Sequence, residues 1–280
     1  MRADCHMHMV LDGVDWKQAI HRHSAKPDVL YIRQVLETYA SLGYTYLRDG
    51  GDRWGAGAKA RELAKDCGIT YRTPLSPLCR AGHYGSFIGT AYETLQEYGA
   101  LVVQTRNAGA DFIKIMISGL MDFDRFGVLT EEGLPPEEIR ELIHIAHEEG
   151  MAVMAHANGA DTVLAAAEAG VDSVEHGAYL NEEALHAMKE QGTVWVPTLS
   201  TIGNLPGTGR FSERDVAQIY ESALQNVSAF HHIGGLLAAG TDAGAWAVPH
   251  GCATEEQHFA KAGVGADALA RGLAVIQKKF

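Results

Sequence analysis

The sequence predicts an α/β chain closed into a (β/α)8 barrel, the TIM barrel architecture, and three observations predict it. Short β-rich apolar runs alternate with longer helical stretches from one end of the chain to the other. Eight such units share 280 residues, roughly 35 each, close to the ~250-residue norm of that architecture. A doubly wound open sheet, the rival arrangement, usually has fewer strands and a glycine-rich phosphate loop after the first, and no such loop follows the first run here.

Taken in order, strands are expected at 3–9, 44–48, 69–73, 111–117, 152–155, 172–175, 193–197 and 236–241. Between them the 3.6-residue period marks helices at 33–42, 56–66, 93–108, 137–149, 161–169, 182–191 and 213–233, with 266–278 as the closing helix. Several end at a glycine, as helix C-termini do: Gly43, Gly109, Gly150, Gly170 and Gly192. With no linker or charge block, the expectation is a single domain over residues 1–280.

Composition narrows the function. A net charge of −12 repels phosphate backbones and anionic lipid surfaces, so neither nucleic acid nor membrane is the expected partner. No apolar run reaches the ~18 residues of a membrane span, and the N-terminus lacks a secretory profile; a cytoplasmic protein is expected. Cys5, Cys67, Cys79 and Cys252 lie far apart without a C-x-x-C pair, which fits a reduced compartment better than a disulfide framework.

Chemistry in such a barrel sits at the C-terminal ends of the strands. The first strand ends in Asp4-Cys5-His6-Met7-His8, and the two-residue period puts His6 and His8 on one face with Cys5, Met7 and Met9 on the other. The fourth carries Lys114 inside the apolar run Phe112-Ile113-Lys114-Ile115-Met116; the fifth ends at His156, the sixth at His176 and the eighth at Asp242. Four imidazoles, a lysine and a carboxylate at one end make a nitrogen and oxygen donor set for a metal. One metal needs three or four donors, so six suggest two metals sharing ligands, which suits hydrolysis because a bridging water loses its proton near neutral pH. Lys114 taken alone equally suits a Schiff base or a phosphate site. His21 and His23 are read as a polar loop, His144 and His147 as a helix face, and His231 with His232 as a late helix turn. Glu175, alternating away from His176, is read as a helix or backbone partner.

These residues lie in stretches that together resemble the amidohydrolase superfamily, specifically its imidazolonepropionase-like and prolidase-like metal-dependent hydrolases. The stretches are Asp4-Cys5-His6-Met7-His8, 46–51, 109–115, Ala155-His156-Ala157, 169–177, 196–199, Gly240-Thr241-Asp242-Ala243-Gly244 and Pro249-His250-Gly251. They span nearly the whole chain, and as a set are specific for the superfamily rather than for a substrate. The resemblance implies that His6, His8 and Asp242 hold one divalent metal and His156 and His176 the other, most simply two zinc ions. Lys114 would bridge them as a carboxylated lysine, and Asp242 would shuttle the proton of a metal-bridging hydroxide. It also implies a hydrolase of amide-like bonds in a dipeptide, N-acyl amino acid or cyclic amide. A lactonase, a phosphoesterase on the same ligands and a non-catalytic barrel are the alternatives, and a homo-oligomer is compatible. His83 and Tyr84 in the loop after the third strand, and His250 after the eighth, are the expected substrate contacts, with Met121, Phe123 and Arg125 as further pocket lining. Relatives usually add a flanking β-sandwich; the expectation here is the barrel without it.

Overall fold

A computed structural model describes residues 2–280. In chain order the elements are β1 (Arg2–Met7), α1 (Trp16–His23), α2 (Val29–Ser41), β2 (Tyr44–Asp49), α3 (Ala56–Ala64), β3 (Thr70–Arg72), β4 (Leu78–Arg80), β5 (Thr90–Tyr92), α4 (Leu95–Asn107) and β6 (Ile113–Met116). There follow α5 (Pro136–Glu148), β7 (Val153–Ala157), α6 (Ala160–Glu168), β8 (Ser173–His176), α7 (Glu182–Gln191), β9 (Val194–Val196), α8 (Ser200–Gly203), α9 (Glu213–His232), β10 (Leu236–Leu237), α10 (Glu255–Lys261) and α11 (Ala266–Lys279). All ladders between these strands are parallel.

The sheet closes on itself. Cys5 donates its N–H to Ala239 O at 2.9 Å and Asp242 donates to His6 O at 2.7 Å, joining the last strand to the first, while Asp111 N to Thr73 O at 3.0 Å joins β3 to the β6 side. Closure rules out the open doubly wound sheet. The eight barrel strands are β1, β2, β3 and β6 to β10; β4 and β5 are an extra pair laid against β6 where the third strand breaks at Pro74 and Pro77. The eighth strand continues past β10 as single bridges and loop hydrogen bonds, so it is less regular than the 236–241 run expected.

Both faces of each strand are covered, so the strands read as nearly continuous apolar runs. Ile113, Ile115, Val153, Ala155, Val174 and Trp195 face outward onto the helices. Inside, Cys5, Tyr46, Phe112, Met154, Val194, Val196 and Ala238 fill the barrel floor, where Phe280, just past the end of α11, plugs the bottom with its ring centroid 5.2 Å from that of Phe112. The helices follow their local signals: α5 starts with Pro136 and the acidic pair Glu137 and Glu138, and buries Ile139, Leu142, Ile143 and Ala146 at helical spacing.

Three expectations are corrected. The register of β1 on β2 slips between Asp4 and Met7, a bulge that resets the alternation. Cys5 therefore joins the barrel interior, and only Met7 and Met9 pack outward. His21 and His23 lie on α1 rather than in a loop; Asp15 caps that helix, and His23 is fully buried with its Nδ1 accepting from Asp28 N. Glu175 points into the barrel, onto His6 and Arg48. No helix among the described residues is long and apolar enough to cross a membrane.

Candidate metal and catalytic site

The bulge in β1 carries His6 and His8 together to the barrel mouth, with their Nε2 atoms 3.3 Å apart. Asp242 Oδ1 lies 3.6 Å from His6 Nε2 and 3.4 Å from His8 Nε2, and donor atoms of all three residues fall within 4.8 Å of one another, close enough to share one cation. The second pair stands beside them. The His176 ring is 5.0 Å from that of His6 and 4.6 Å from that of His156, centroid to centroid. His176 Nδ1 is 2.7 Å from Thr198 Oγ1 and His156 Nε2 is 3.1 Å from the Gly119 carbonyl, which leaves His176 Nε2 and His156 Nδ1 as the free donor atoms.

Lys114 is fully buried in β6, and its Nζ has no hydrogen-bond partner among the described residues. Burial pushes the ammonium below the usual lysine range, against the pull of Glu175 and Asp242. Burial also pushes the Asp242 carboxyl up, while Lys114 opposes the rise. All four imidazoles are held neutral, first by burial and then by neighbouring cationic groups; His8 and His156 fall to about 3. The site thus presents neutral nitrogen donors at physiological pH.

Sequence reasoning assigned no role to the network beneath the histidines. Glu175 Oε2 accepts from His6 Nδ1 at 2.7 Å, and its Oε1 accepts from Arg48 at 2.8 Å and from Ser173 Oγ at 2.6 Å. Arg48 also donates to Ser173 Oγ and, through Nε, to Cys5 O at 2.6 Å. Both charged side chains are wholly buried. Glu175 therefore faces inward, opposite to the helix-side placement expected of it, because His176 and not Glu175 leaves the strand alternation: His176 adopts a left-handed φ of +69°. Thr198 (φ +49°) and Asp242 (φ +58°) do the same at their strand ends. Such conformations cost about 1–3 kcal/mol each and cluster at functional sites. A signal for Arg48 existed: an arginine in an apolar strand, two residues on from inward-facing Tyr46.

The expected substrate contacts divide. Tyr84 lays its ring against His156 at 4.7 Å, and its N–H donates to Glu131. His83 is half-exposed with Nδ1 3.6 Å from Glu131 Oε2. His250 turns to the back of the β1 loop: its Nε2 donates to Leu11 O at 2.9 Å and its ring packs near Tyr31 and Tyr39. Met121 packs in a small cluster with Ala178, Ile202 and Ile219, Phe123 borders it, and Arg125 is paired with Asp122.

The amidohydrolase family model matches residues 30–255 of the chain. Ochratoxinase of Aspergillus niger is 28% identical over 281 aligned positions, covering 85% of this chain and 56% of that enzyme, so the chain spans about half the length of this curated relative. The crystal structure of A. niger ochratoxinase superposes with a TM-score of 0.74 at 24% identity over 98% of this chain and 68% of that one. A Xaa-Pro dipeptidase with bound methionine gives 0.71 at 23% identity over 99% and 72%. A prolidase complexed with N-methylphosphonate-L-proline gives 0.76 at 21% identity over 99% and 74%. These structural likenesses carry the fold.

Proposed function

The chain belongs to the amidohydrolase family, and from that premise we propose that it is a binuclear metal-dependent hydrolase acting on an amide bond in a dipeptide, N-acyl amino acid or cyclic amide. The observation that carries the reading is the convergence of the His6, His8 and Asp242 donors, in the electrostatic reach of a buried Lys114 amine that has no hydrogen-bond partner among the described residues. A buried amine without a hydrogen bond is costly, and a carbamate formed from it would be an anion whose burial two bound cations would offset. In this reading the neutral Lys114 amine adds to carbon dioxide, forming an N–C bond as one C=O π bond opens and an N–H proton passes to solvent, and the carbamate would serve both ligand sets.

His6, His8 and Asp242 would hold one cation and His156 and His176 the other, with carboxylated Lys114 shared; nitrogen and oxygen donors in this number suit zinc. A divalent pair bound there supplies Lewis acidity, polarising a carbonyl and acidifying water. The chain's own groups do the rest. Asp242 would take a proton on its carboxylate and return it to the leaving nitrogen. Glu175, clamped by Arg48 and Ser173, fixes the ring of His6, and Thr198 fixes that of His176. Tyr84, against His156, would line the substrate side with His83 next to it in sequence, while His250 supports the wall formed by the β1 loop.

Elemental analysis of metal-replete protein, paired with a turnover screen over dipeptides, N-acyl amino acids, cyclic amides, lactones and phosphoesters, tests this directly. Two metals per chain, a mass increment on Lys114 matching one carbon dioxide, and cleavage confined to amides are expected. One metal or none would overturn the binuclear site, borohydride trapping of a ketone on Lys114 would replace the carbamate with a Schiff base, and cleavage confined to lactones or phosphoesters would replace the substrate class.

A further inference from the structure

One buried carboxyl has no part in the chemistry described above. Glu255 opens α10, on the segment that continues from the Asp242 turn; it is buried, and among the described residues it pairs with no cation. Its two oxygens reach across to the exit of β9, where Oε1 accepts from Leu199 N at 2.9 Å and Oε2 from Ser200 N at 2.7 Å. A carboxyl is costly to bury unless its acceptors are satisfied, and here both are taken by two successive backbone N–H groups.

Those N–H groups follow directly on Thr198. Thr198 is β-branched and fully buried, yet it stands at a φ of +49°, a region such residues rarely enter. Its hydroxyl oxygen lies 2.7 Å from His176 Nδ1, and the His176 ring is 4.6 Å from that of His156, centroid to centroid. A relaxed φ at Thr198 would carry the next two N–H groups away from Glu255 and change the direction of the hydroxyl at the same time. The group that holds the strained turn is therefore on α10, 56 positions from Leu199 in sequence. Asn204, at the end of α8, ties this turn to the loop after Asp242 at a separate point, donating to Ala247 O at 3.1 Å.

We propose that Glu255 is a positioning residue: by holding Thr198 in its left-handed turn it keeps the hydroxyl on His176 Nδ1, and so sets how firmly the His156 and His176 half of the site retains its metal. This rests on the binuclear reading of the site. Two readouts test it, one with metal and one without. The first is stopped-flow transfer of zinc from loaded protein to a chromogenic chelator, the phase belonging to the His156 and His176 half being the one missing from His176→Ala. The second is the long-range proton–nitrogen correlation spectrum of metal-free protein labelled at histidine, in which the His176 ring signals report its tautomer and hydrogen bond. Glu255→Gln offers one acceptor oxygen and sets an N–H against an N–H. It should speed release in that phase about tenfold, the lower end of the effect of groups that orient a metal-ligating histidine. The other phase should stay unchanged, and the His176 ring signals should shift. Thr198→Val should do the same, and the double variant should be no worse than Thr198→Val alone, because Glu255 acts through Thr198. Glu255→Asp, which keeps both oxygens but pulls them back, should show the same effects in smaller measure, and it carries the test if Glu255→Gln does not fold. Asn204→Ala loosens the same segments and should move neither readout. Wild-type release with unshifted His176 signals in the Glu255 variants, additive effects of Glu255→Gln and Thr198→Val, or an equal effect of Asn204→Ala overturns the proposal. If wild type carries no metal in the His156 and His176 half, the binuclear reading fails, while the metal-free spectrum still decides whether Glu255 positions the ring.

Discussion

Asp242 ends its strand with a φ of +58°, and that left-handed turn accompanies a carboxylate aimed back at His6 and His8. The proposed role of ligand and proton carrier has an isosteric test: Asp242→Asn keeps the shape and one coordinating oxygen but cannot accept the proton. Turnover should fall on the order of 10²-fold or more with much of the metal retained, and a near wild-type kcat at matched metal content rejects the role. His250 gives a second single-residue test, on stability. Burial holds its pKa down to about 4, below the ~6.5 of an unfolded histidine, while the Leu11 carbonyl pulls the other way. A depressed folded pKa means the contribution is present above pH 6.5 and is lost as pH falls toward 4. His250→Gln keeps a donor for Leu11 O and cannot titrate, so its melting temperature should decline less steeply than wild type across that window; identical slopes would count against it. The six strand-end donors were readable because each interrupts an apolar strand with a polar group at the same end. Glu175 was not, and Arg48 only as an arginine inside an apolar strand, because their pairing lies across 127 positions of sequence, and the reversal at His176 that brings its ring to the mouth while Glu175 keeps facing inward is a backbone event with no local residue signature.

Strands and helices long enough to show a period were legible, and those that failed were short or polar. β4 and β5 have three residues each and are held by pairing with each other and of β4 with β6. In α1 only Ala19 and His23 are buried, so its helical period is faint even though Asp15 gives a cap signal. The β1 bulge is set by pairing with β2, beyond anything the alternation of residues 3–9 contains. At the end of β2 a glycine shows how element ends are fitted to the site. A Cβ on Gly50 would stand 2.2 Å from His8 Cε1, so the imidazole occupies the space a side chain would take. Gly50→Ala should therefore shift His8, lowering metal content while the far-UV circular dichroism of the barrel stays unchanged. Full metal content in that variant would mean that the close approach is not needed to place His8.

For the barrel as a whole, the mouth is assembled from residues on β1, β6, β7, β8 and the strand after β10, and the network under it links β1, β2 and β8. A ligand that binds such a constellation binds the folded chain alone, because no unfolded conformer brings residues 6 and 242 together. Metal bound there would therefore stabilise the fold by mass action, about 4 kcal/mol at a thousandfold excess over Kd. With the unfolding entropy of a chain this size, that corresponds to a rise in melting temperature on the order of 5–10 °C. Zinc added to chelator-treated protein should produce the rise and a chelator should reverse it. His6→Ala and His176→Ala should each lose a large part of it, whereas His144→Ala, on the exposed face of α5, should keep all of it. The two ligand substitutions also separate a shared centre from two independent ones. If His6 and His176 act on one centre joined through Lys114, either change reduces both the metal count and the thermal shift together. If each change removes one metal and leaves the other bound with its own undiminished increment of stability, the ligand sets are independent and Lys114 does not join them.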